Sequence, residues 1–83
     1  MFTVYVLFSR KFGKIYVGFT SNLAERLKAH NELDTKGWTR SYRPWEVIHQ
    51  ELFENKAAAM QREKDLKSGQ GRQWIWRKLV GRE

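Results

Sequence analysis

The chain has 83 residues, enough for one domain over residues 1–83 and too few for a second hydrophobic core. It contains no cysteine, which excludes disulfides, thiolate metal sites and cysteine nucleophiles, and which fits a reducing, cytoplasmic location. Its 16 lysines and arginines against 9 acidic residues give a formal net charge of +7, which favours nucleic acid as the partner over an acidic protein or membrane.

The N-terminal part of the chain predicts an antiparallel hairpin. Residues 2–8 are β-branched or aromatic on both faces, which is typical of a central strand that is covered on two sides. Residues 9–13 predict a turn, and residues 14–18 predict the second strand. The apolar run at 2–8 is far too short to span a membrane and is not flanked like a signal peptide, so we expect no membrane association.

A helix and a loop follow the hairpin. Asn22, with Glu25 three residues later, resembles a capping box and predicts a helix that ends near Asn31. Residues 33–44 have no clear period and predict a loop that is both basic and aromatic. Its basic and aromatic residues include Lys36, Trp38, Arg40, Tyr42 and Arg43.

The C-terminal part of the chain predicts one strand and two helices. Residues 45–53 form the third strand, and Asn55 caps a helix over residues 56–68. The segment Gly69–Gly71 breaks that helix before a short final helix at residues 73–80. The order β-β-α-β-α-α predicts an α+β fold, a small three-stranded antiparallel sheet flanked by helices, because three strands cannot hide both of their faces unaided.

Tyr5 and Tyr16 lie on the two strands of the predicted hairpin. If the turn centres between Arg10 and Lys11, the tyrosines are directly opposed and point to the same face of the sheet. If the centre of the turn moves by one residue, the residue opposite Tyr5 changes by two positions, and both tyrosines still point to the same face of the sheet. The two phenols are therefore expected to share one side of the sheet. Strands favour tyrosine in general, so the pair alone does not indicate a function.

The two main helices carry polar side chains on faces that should pack on the sheet. In the first, Arg26 and His30 point within about 40° of each other. Taken singly, each has an ordinary interpretation, Arg26 as a snorkelling arginine and His30 as a hydrogen-bonded core histidine. In the second, Glu63 shares one face with Ala59 and Leu66. A buried carboxylate is costly unless it is paired or metal-bound. Glu63 therefore either pairs with Arg26 or a nearby lysine or ligates a hard cation such as Mg²⁺.

Two other kinds of site find no support in the residues. With only His30 and His49 and no cysteine, a zinc cluster is excluded. There is no phosphate-binding loop of the Gly-rich, Lys-containing type, and the glycines of the segment Gly69–Gly71 come too late for a dinucleotide-binding turn.

Six short motifs, in order, resemble those of GIY-YIG nuclease domains, in particular of the small stand-alone bacterial type. The first reads Thr-Val-Tyr at 3–5, and the second, after ten intervening residues, reads Tyr-Val-Gly at 16–18. The remaining matches are Asn22-Leu23-x-x-Arg26-Leu27-x-x-His30-Asn31, Thr39 with Pro44-Trp45, Ala59-x-x-Arg62-Glu63-x-x-Leu66-Lys67, and Lys67-Ser68-Gly69-x-Gly71-Arg72. The resemblance covers nearly the whole chain.

The resemblance implies hydrolysis of a DNA phosphodiester bond with a magnesium-type metal. Tyr5 and Tyr16 match the motif tyrosines, one of which acts as general base on the attacking water or orients it. Free tyrosine has a pKa of about 10, so a base role needs a nearby cation to favour the phenolate. Gly18 matches a glycine in a turn of the motif, where a side chain would obstruct the backbone or the substrate.

The resemblance also implies roles for the helical side chains. Arg26 matches an arginine that stabilises charge on the phosphate, and His30 matches a position that relays protons or contacts phosphate. Glu63 matches the single carboxylate that binds Mg²⁺ or Mn²⁺, with the metal acting as a Lewis acid on the leaving oxygen. The residues expected to face DNA are Lys14, Arg40 and Arg72.

Two departures from the family pattern leave a second function open. The first motif reads Thr-Val-Tyr instead of Gly-Ile-Tyr, and the segment Gln73–Trp76 holds no asparagine where many family members carry one. The main hypothesis is an endonuclease for branched or damaged DNA, as in DNA repair. The alternatives are a non-catalytic nucleic-acid-binding module that keeps the fold, and a structural component of a larger complex. Assembly stays open between a partner protein and a homodimer.

Overall fold

The computed structural model of the chain describes residues 1–33 and 37–81, and it contains the predicted sheet. Lys36 of the predicted basic loop lies outside these residues. Three antiparallel strands are arranged in the order β2-β1-β3, so the strand predicted as central is central. Their bounds are β1 (Phe2–Ser9), β2 (Lys14–Thr20) and β3 (Glu46–Phe53).

Helices connect and cover the strands in the predicted order. Helix α1 (Leu23–Lys28) widens into a π-helical turn (Ala29–Leu33), and a 3₁₀ helix (Trp38–Tyr42) precedes β3. Helix α2 (Lys56–Lys67) follows β3, and α3 (Gly69–Trp74) continues into π-helical geometry (Ile75–Val80). Across the described residues, we find no helix with the length and apolar character needed to cross a bilayer. The predicted α+β class is confirmed.

Asparagine side chains begin the first two α-helices, as predicted. Asn22 Oδ1 accepts a hydrogen bond from the Glu25 backbone N–H at 3.1 Å, and Asn22 Nδ2 donates to the Glu25 carboxylate at 2.9 Å. Asn55 Oδ1 accepts from the Ala58 N–H at 2.8 Å. Each cap satisfies a backbone donor that the first helical turn leaves without a partner.

The hairpin register differs by two positions from direct opposition of the tyrosines. Tyr5 lies opposite Gly18, and Leu7 lies opposite Tyr16. The centre of the turn is therefore one residue later than the assumed centre between Arg10 and Lys11. A shift of two positions preserves the face toward which each side chain points. Tyr5 and Tyr16 therefore lie diagonally on one face of the sheet, and the prediction of a shared face is confirmed.

Strand β1 alternates between two packed layers. Its even-numbered residues face α2 and α3, in a core made of Val4, Val6, Phe8, Ile15, Val17, Ala59, Leu66 and Ile75. Its odd-numbered residues Tyr5 and Leu7 pack with Trp45 against α1 and the 3₁₀ helix. The buried core of the first layer consists of apolar side chains, whereas the second layer contains Tyr5, whose hydroxyl belongs to the candidate site.

Two segments differ from the sequence prediction. The predicted loop at 33–44 contains the 3₁₀ helix, which at 5 residues is too short to give a readable period. The final helix begins at Gly69 instead of near residue 73, because the Ser68 hydroxyl caps it by accepting from the Gly71 N–H at 3.1 Å. Gly71 serves close packing of α3 on α2, since a Cβ there would lie 2.2 Å from the Asp65 carbonyl oxygen.

Candidate active site

A buried chain of three polar side chains runs from the sheet to the 3₁₀ helix. The Tyr5 hydroxyl oxygen lies 3.2 Å from His30 Nε2, and His30 Nδ1 lies 3.1 Å from the Thr39 hydroxyl oxygen. All three side chains are almost fully buried. Polar groups removed from water are stable only when they are hydrogen-bonded, so each member of the chain fixes the orientation of the next.

The Tyr5 phenol is kept in its protonated form. Burial is the main reason that the pKa of Tyr5 is raised well above its ordinary value, Tyr16 and Glu63 raise it further, and Arg26 lowers it. A protonated phenol can donate to His30 Nε2, and in that tautomer of the imidazole the Nδ1–H donates to the Thr39 hydroxyl. Among the charges that act on the Tyr5 pKa, that of Arg26 lowers it and that of Glu63 raises it.

The backbone around His30 is held by side chains from the segment that leads into β3. Arg43 Nε donates to the His30 carbonyl at 2.5 Å. The Asn31 amide accepts from the Trp45 backbone N–H at 2.6 Å and donates to the Trp45 carbonyl at 2.9 Å. The Trp45 indole N–H donates to the Thr39 carbonyl at 2.7 Å. The backbone of His30 and its hydrogen-bond partner Thr39 are thus positioned by one connected network.

Tyr16 is the more accessible of the two phenols. Its ring centroid lies 6.3 Å from that of Tyr5 and 4.8 Å from that of His30. It is half-buried, whereas Tyr5 and His30 are enclosed. A substrate that approaches this face therefore meets Tyr16 before it meets the Tyr5–His30 pair.

Gly18 leaves room for the Tyr5 ring. It lies within β2, opposite Tyr5, and not in a turn as expected from the motif. A Cβ at this position would lie 2.6 Å from the Tyr5 hydroxyl oxygen and 2.8 Å from Tyr5 Cζ. Both separations are shorter than carbon tolerates without displacement. The predicted obstruction is therefore with a site side chain rather than with the backbone or the substrate.

Glu63 lies on the face of α2 that packs on the sheet, on the same side of the helix as the buried Ala59 and Leu66. Its carboxylate lies 3.5 Å from Lys67 Nζ, so the salt bridge with a nearby lysine is present. The Lys67 side chain is 51% exposed and that of Glu63 only 22%. Pairs that involve such an exposed lysine contribute less than about 1 kcal/mol and exchange readily.

A metal ion near Glu63 would depend on few protein ligands. Within 1–33 and 37–81, no three or more His, Asp or Glu side chains are grouped closely enough to hold an ion. Mg²⁺ usually binds one or two carboxylates and keeps several waters. A mostly buried carboxylate with one exchangeable partner fits an ion of that kind, held by Glu63 together with water and substrate phosphate.

The predicted basic residues lie on different parts of the surface. Arg26 is exposed on α1, and Arg40 is exposed on the 3₁₀ helix. Lys14 begins β2, with its Nζ 5.4 Å from the centre of the Tyr42 ring. Arg72 is exposed on α3, a helix of the layer opposite the tyrosine pair, so the structure does not bring it to the site. Contact of Lys14, Arg40 and Arg72 with DNA stays a prediction.

A second polar cluster, which the sequence did not reveal, joins β3 to α2. Both carboxylate oxygens of Glu51 accept from Arg62, at 2.9 and 3.0 Å, and Oε2 also lies 2.7 Å from His49 Nε2. Bidentate pairing of this geometry is the strong form of a charge-assisted bond. The hydrogen bonds from Arg62 are the main cause that lowers the pKa of Glu51, and His49 adds to it against the opposing effect of burial.

The Glu51 pair is expected to make stability depend on acid pH. The lowered pKa of Glu51 means that its contribution is complete above the unfolded carboxyl pKa of about 4.3 and is lost as the pH falls through the folded value. Glu51→Gln should therefore lower the free energy of unfolding by about 1–2 kcal/mol at pH 7 and weaken its acid dependence. Urea unfolding between pH 7 and pH 3 measures both.

The control for this prediction is Glu46→Gln on the same strand. Glu46 pairs with Arg10 at the surface, where both side chains are at least half exposed, so its removal should change stability by less than about 0.5 kcal/mol. Equal losses from the two variants at pH 7 would contradict a special contribution from Glu51.

Comparison with known proteins places the geometry in context. Residues 1–75 match the family model described as the GIY-YIG catalytic domain. The chain is 40% identical over 72 residues to a UPF0213 protein of Bacillus velezensis, which covers 83% of this chain and 73% of that protein. It is 41% identical over 64 residues to a UPF0213 protein of Clostridium perfringens, at 77% and 68% coverage. A UPF0213 protein of Natronomonas pharaonis is 42% identical over 54 residues, 65% of this chain and 64% of that relative.

Proposed function

Because this chain belongs to the GIY-YIG family, we propose that it is an endonuclease that hydrolyses DNA phosphodiester bonds with the help of a divalent metal ion, Mg²⁺ or Mn²⁺. The observation that carries the proposal is the convergence on one phenol. Tyr5 is hydrogen-bonded to His30, Tyr16 lies beside it, and the charges of Arg26 and Glu63 both act on it. Glu63 would hold the metal, which when bound supplies Lewis acidity at the phosphate.

The raised pKa of Tyr5 suggests how the attacking water loses its proton. A free Tyr5 phenolate is disfavoured by burial, so the phenol oxygen takes a proton from water only as its own proton passes to His30 Nε2. The water oxygen then bonds to phosphorus, the bond to the leaving sugar oxygen breaks, and that oxygen is protonated by solvent. The resulting imidazolium keeps its Nδ1–H bond to Thr39.

Arg26 and Tyr16 act on the substrate side of this route. Arg26 is exposed and permanently charged, so it can donate to the phosphate oxygens on which negative charge increases during attack. Tyr16 is the accessible phenol and orients the attacking water toward Tyr5. Both roles concern positioning and charge, and neither requires Tyr16 to be ionised.

A non-catalytic nucleic-acid-binding module is the second candidate function. Two observations favour it: Tyr5 is almost fully buried, and the Glu63 carboxylate is paired with Lys67. The two candidates differ in one measurable respect, since only the first requires divalent metal and turnover.

We expect Tyr5→Phe and His30→Gln each to lower the rate of plasmid nicking by about 100- to 10,000-fold, because each removes one step of the proton route. The measurement is conversion of supercoiled plasmid to the open circular form in Mg²⁺ or Mn²⁺, with a chelator as the blank.

The matched control is His49→Gln. His49 lies beside Glu51 in the second polar cluster, so its loss should leave nicking unchanged at temperatures where the variant is folded. Absence of metal-dependent nicking by the unaltered protein on plasmid and branched DNA alike, with DNA binding intact, would support the non-catalytic module instead.

A further inference from the structure

Three aromatic side chains, two of them exposed and one half-buried, form a continuous surface next to the tyrosine pair. We call this surface, made of Phe12, Trp38 and Tyr42, the aromatic ridge. The ring of Tyr42 lies between the other two, with centroids 5.5 Å from Phe12 and 4.8 Å from Trp38. Phe12 is 43% exposed and Trp38 is 49% exposed. Exposed apolar residues that occur singly are ordinary, whereas a contiguous group of them marks a binding surface.

The aromatic ridge is continuous with the candidate active site. Trp38 contacts Trp45 at a centroid distance of 5.7 Å, and Trp45 in turn lies 6.4 Å from Tyr16. Trp45 is almost fully buried and fills the space beneath the ridge. Trp45 therefore already fills this part of the core, and core packing does not explain why the rings of Phe12 and Trp38 are exposed.

Positive charge accompanies the rings. Lys11 Nζ lies 5.4 Å from the centre of the Phe12 ring, and Lys14 Nζ lies 5.4 Å from that of Tyr42. Arg40 is exposed within the same 3₁₀ helix that carries Trp38 and Tyr42. Aromatic rings interleaved with lysine and arginine are the composition that binds single strands, because bases stack on the rings while phosphates meet the cations.

The chemistry of the ridge discriminates between paired and unpaired nucleotides. In an intact duplex the faces of the bases are covered by their stacked neighbours, so exposed rings gain little from contact with it. An unpaired base offers a free face, and stacking on an aromatic side chain is then worth a substantial part of the affinity. The cations alone attract both forms through the phosphates.

Resting on the proposed function, we infer that the aromatic ridge binds unpaired nucleotides of the DNA substrate beside the scissile bond. The substrate is then a junction between duplex and single strand, such as a flap or a branch. The duplex arm lies over Arg26 and the tyrosine pair, and the single-stranded arm lies along Trp38, Tyr42 and Phe12.

The test is a binding measurement without divalent metal, so that its result does not depend on cleavage. Fluorescence anisotropy is measured with a labelled oligothymidine strand, a blunt duplex and a flapped duplex of the same length. We expect Phe12→Leu and Trp38→Leu each to weaken binding to the single strand and the flap by roughly 5- to 100-fold, with less than about a 2-fold change for the blunt duplex. Leucine retains apolar contact with Trp45 and Tyr42, and thermal unfolding verifies the fold of each variant.

Trp74→Leu is the matched control, because Trp74 is also an exposed tryptophan but lies on α3, in the opposite layer. It should leave all three affinities unchanged. Unchanged single-strand binding in both ridge variants would overturn the inference, as would equal losses on flap and blunt duplex, or tighter binding of single-stranded RNA than of DNA. A ridge that binds as expected in a protein that never nicks DNA would contradict the proposed function and leave the ridge assignment standing.

Discussion

Glu63→Gln is expected to lower metal-dependent nicking of plasmid DNA by at least about 100-fold, because it removes the carboxylate proposed to bind the metal ion. The amide is the same size and can keep hydrogen bonds, but it carries no charge to hold Mg²⁺ or Mn²⁺. The stability of the fold should change by less than about 0.5 kcal/mol, since the pair lost with the charge involves a Lys67 side chain that is 51% exposed.

Two further measurements make the Glu63 result specific. Titration with Mn²⁺ followed by calorimetry should show that Glu63→Gln weakens ion binding, while affinity for DNA in the absence of metal is retained or rises slightly. Glu54→Gln, which removes an exposed carboxylate just after β3, should affect neither property. If Glu63→Gln nicks at the rate of the unaltered protein, the metal is held elsewhere or is not used.

Gly18→Ala is expected to abolish nicking and to destabilise the fold by about 1–3 kcal/mol. The new Cβ would stand 2.6 Å from the Tyr5 hydroxyl oxygen and 3.2 Å from Tyr16 Cε2. The Tyr5 side chain is almost fully buried, so we expect a movement away from the new Cβ to disturb its hydrogen bond to His30. Thermal unfolding and the plasmid assay measure the two effects on the same preparation.

A control and a double variant separate the collision from a general effect of alanine. Gly69→Ala adds a Cβ that meets nothing within 4 Å, and in a helix alanine is favoured over glycine by about 0.5–1 kcal/mol, so it should be neutral or stabilising. In Gly18→Ala with Tyr5→Phe, the contact with the hydroxyl oxygen disappears but that with Cζ remains. Stability should recover in part, and nicking should not. Full activity in Gly18→Ala alone would show that Tyr5 is free to move.

The arrangement of the site on the sheet was predictable because it depends only on the alternation of side chains between the two faces of a strand. A hairpin register that shifts by two positions preserves the face, so Tyr5 and Tyr16 were expected together even though the opposed pair was not the one assumed. Helical spacing likewise directed His30 and Glu63 toward the sheet. The change from α- to π-helical geometry at Ala29 alters the rise locally but leaves His30 buried.

The parts that were not predictable depend on short segments without a period. Thr39 and Asn31 occur in the ordered family match, but nothing in their spacing indicates that Thr39 accepts from His30 or that Asn31 pairs with the backbone of Trp45. Glu51 and Arg62 are 11 positions apart in the chain, and the geometry of their pair depends on how α2 lies across β3. Such contacts follow from tertiary packing, which local sequence patterns do not predict.

The two faces of β1 have different roles, and this difference has a consequence for how the fold can vary. The hydrogen-bonded chain of Tyr5, His30 and Thr39 lies on one side of β1, while the apolar core under α2 and α3 lies on the other. A substitution such as Tyr5→Phe is therefore expected to remove the proposed proton route while the apolar core of the opposite layer stays intact. If the proposed function is correct, loss of catalysis and retention of a folded scaffold are one substitution apart, so a folded relative of this chain cannot be assumed to be an active one.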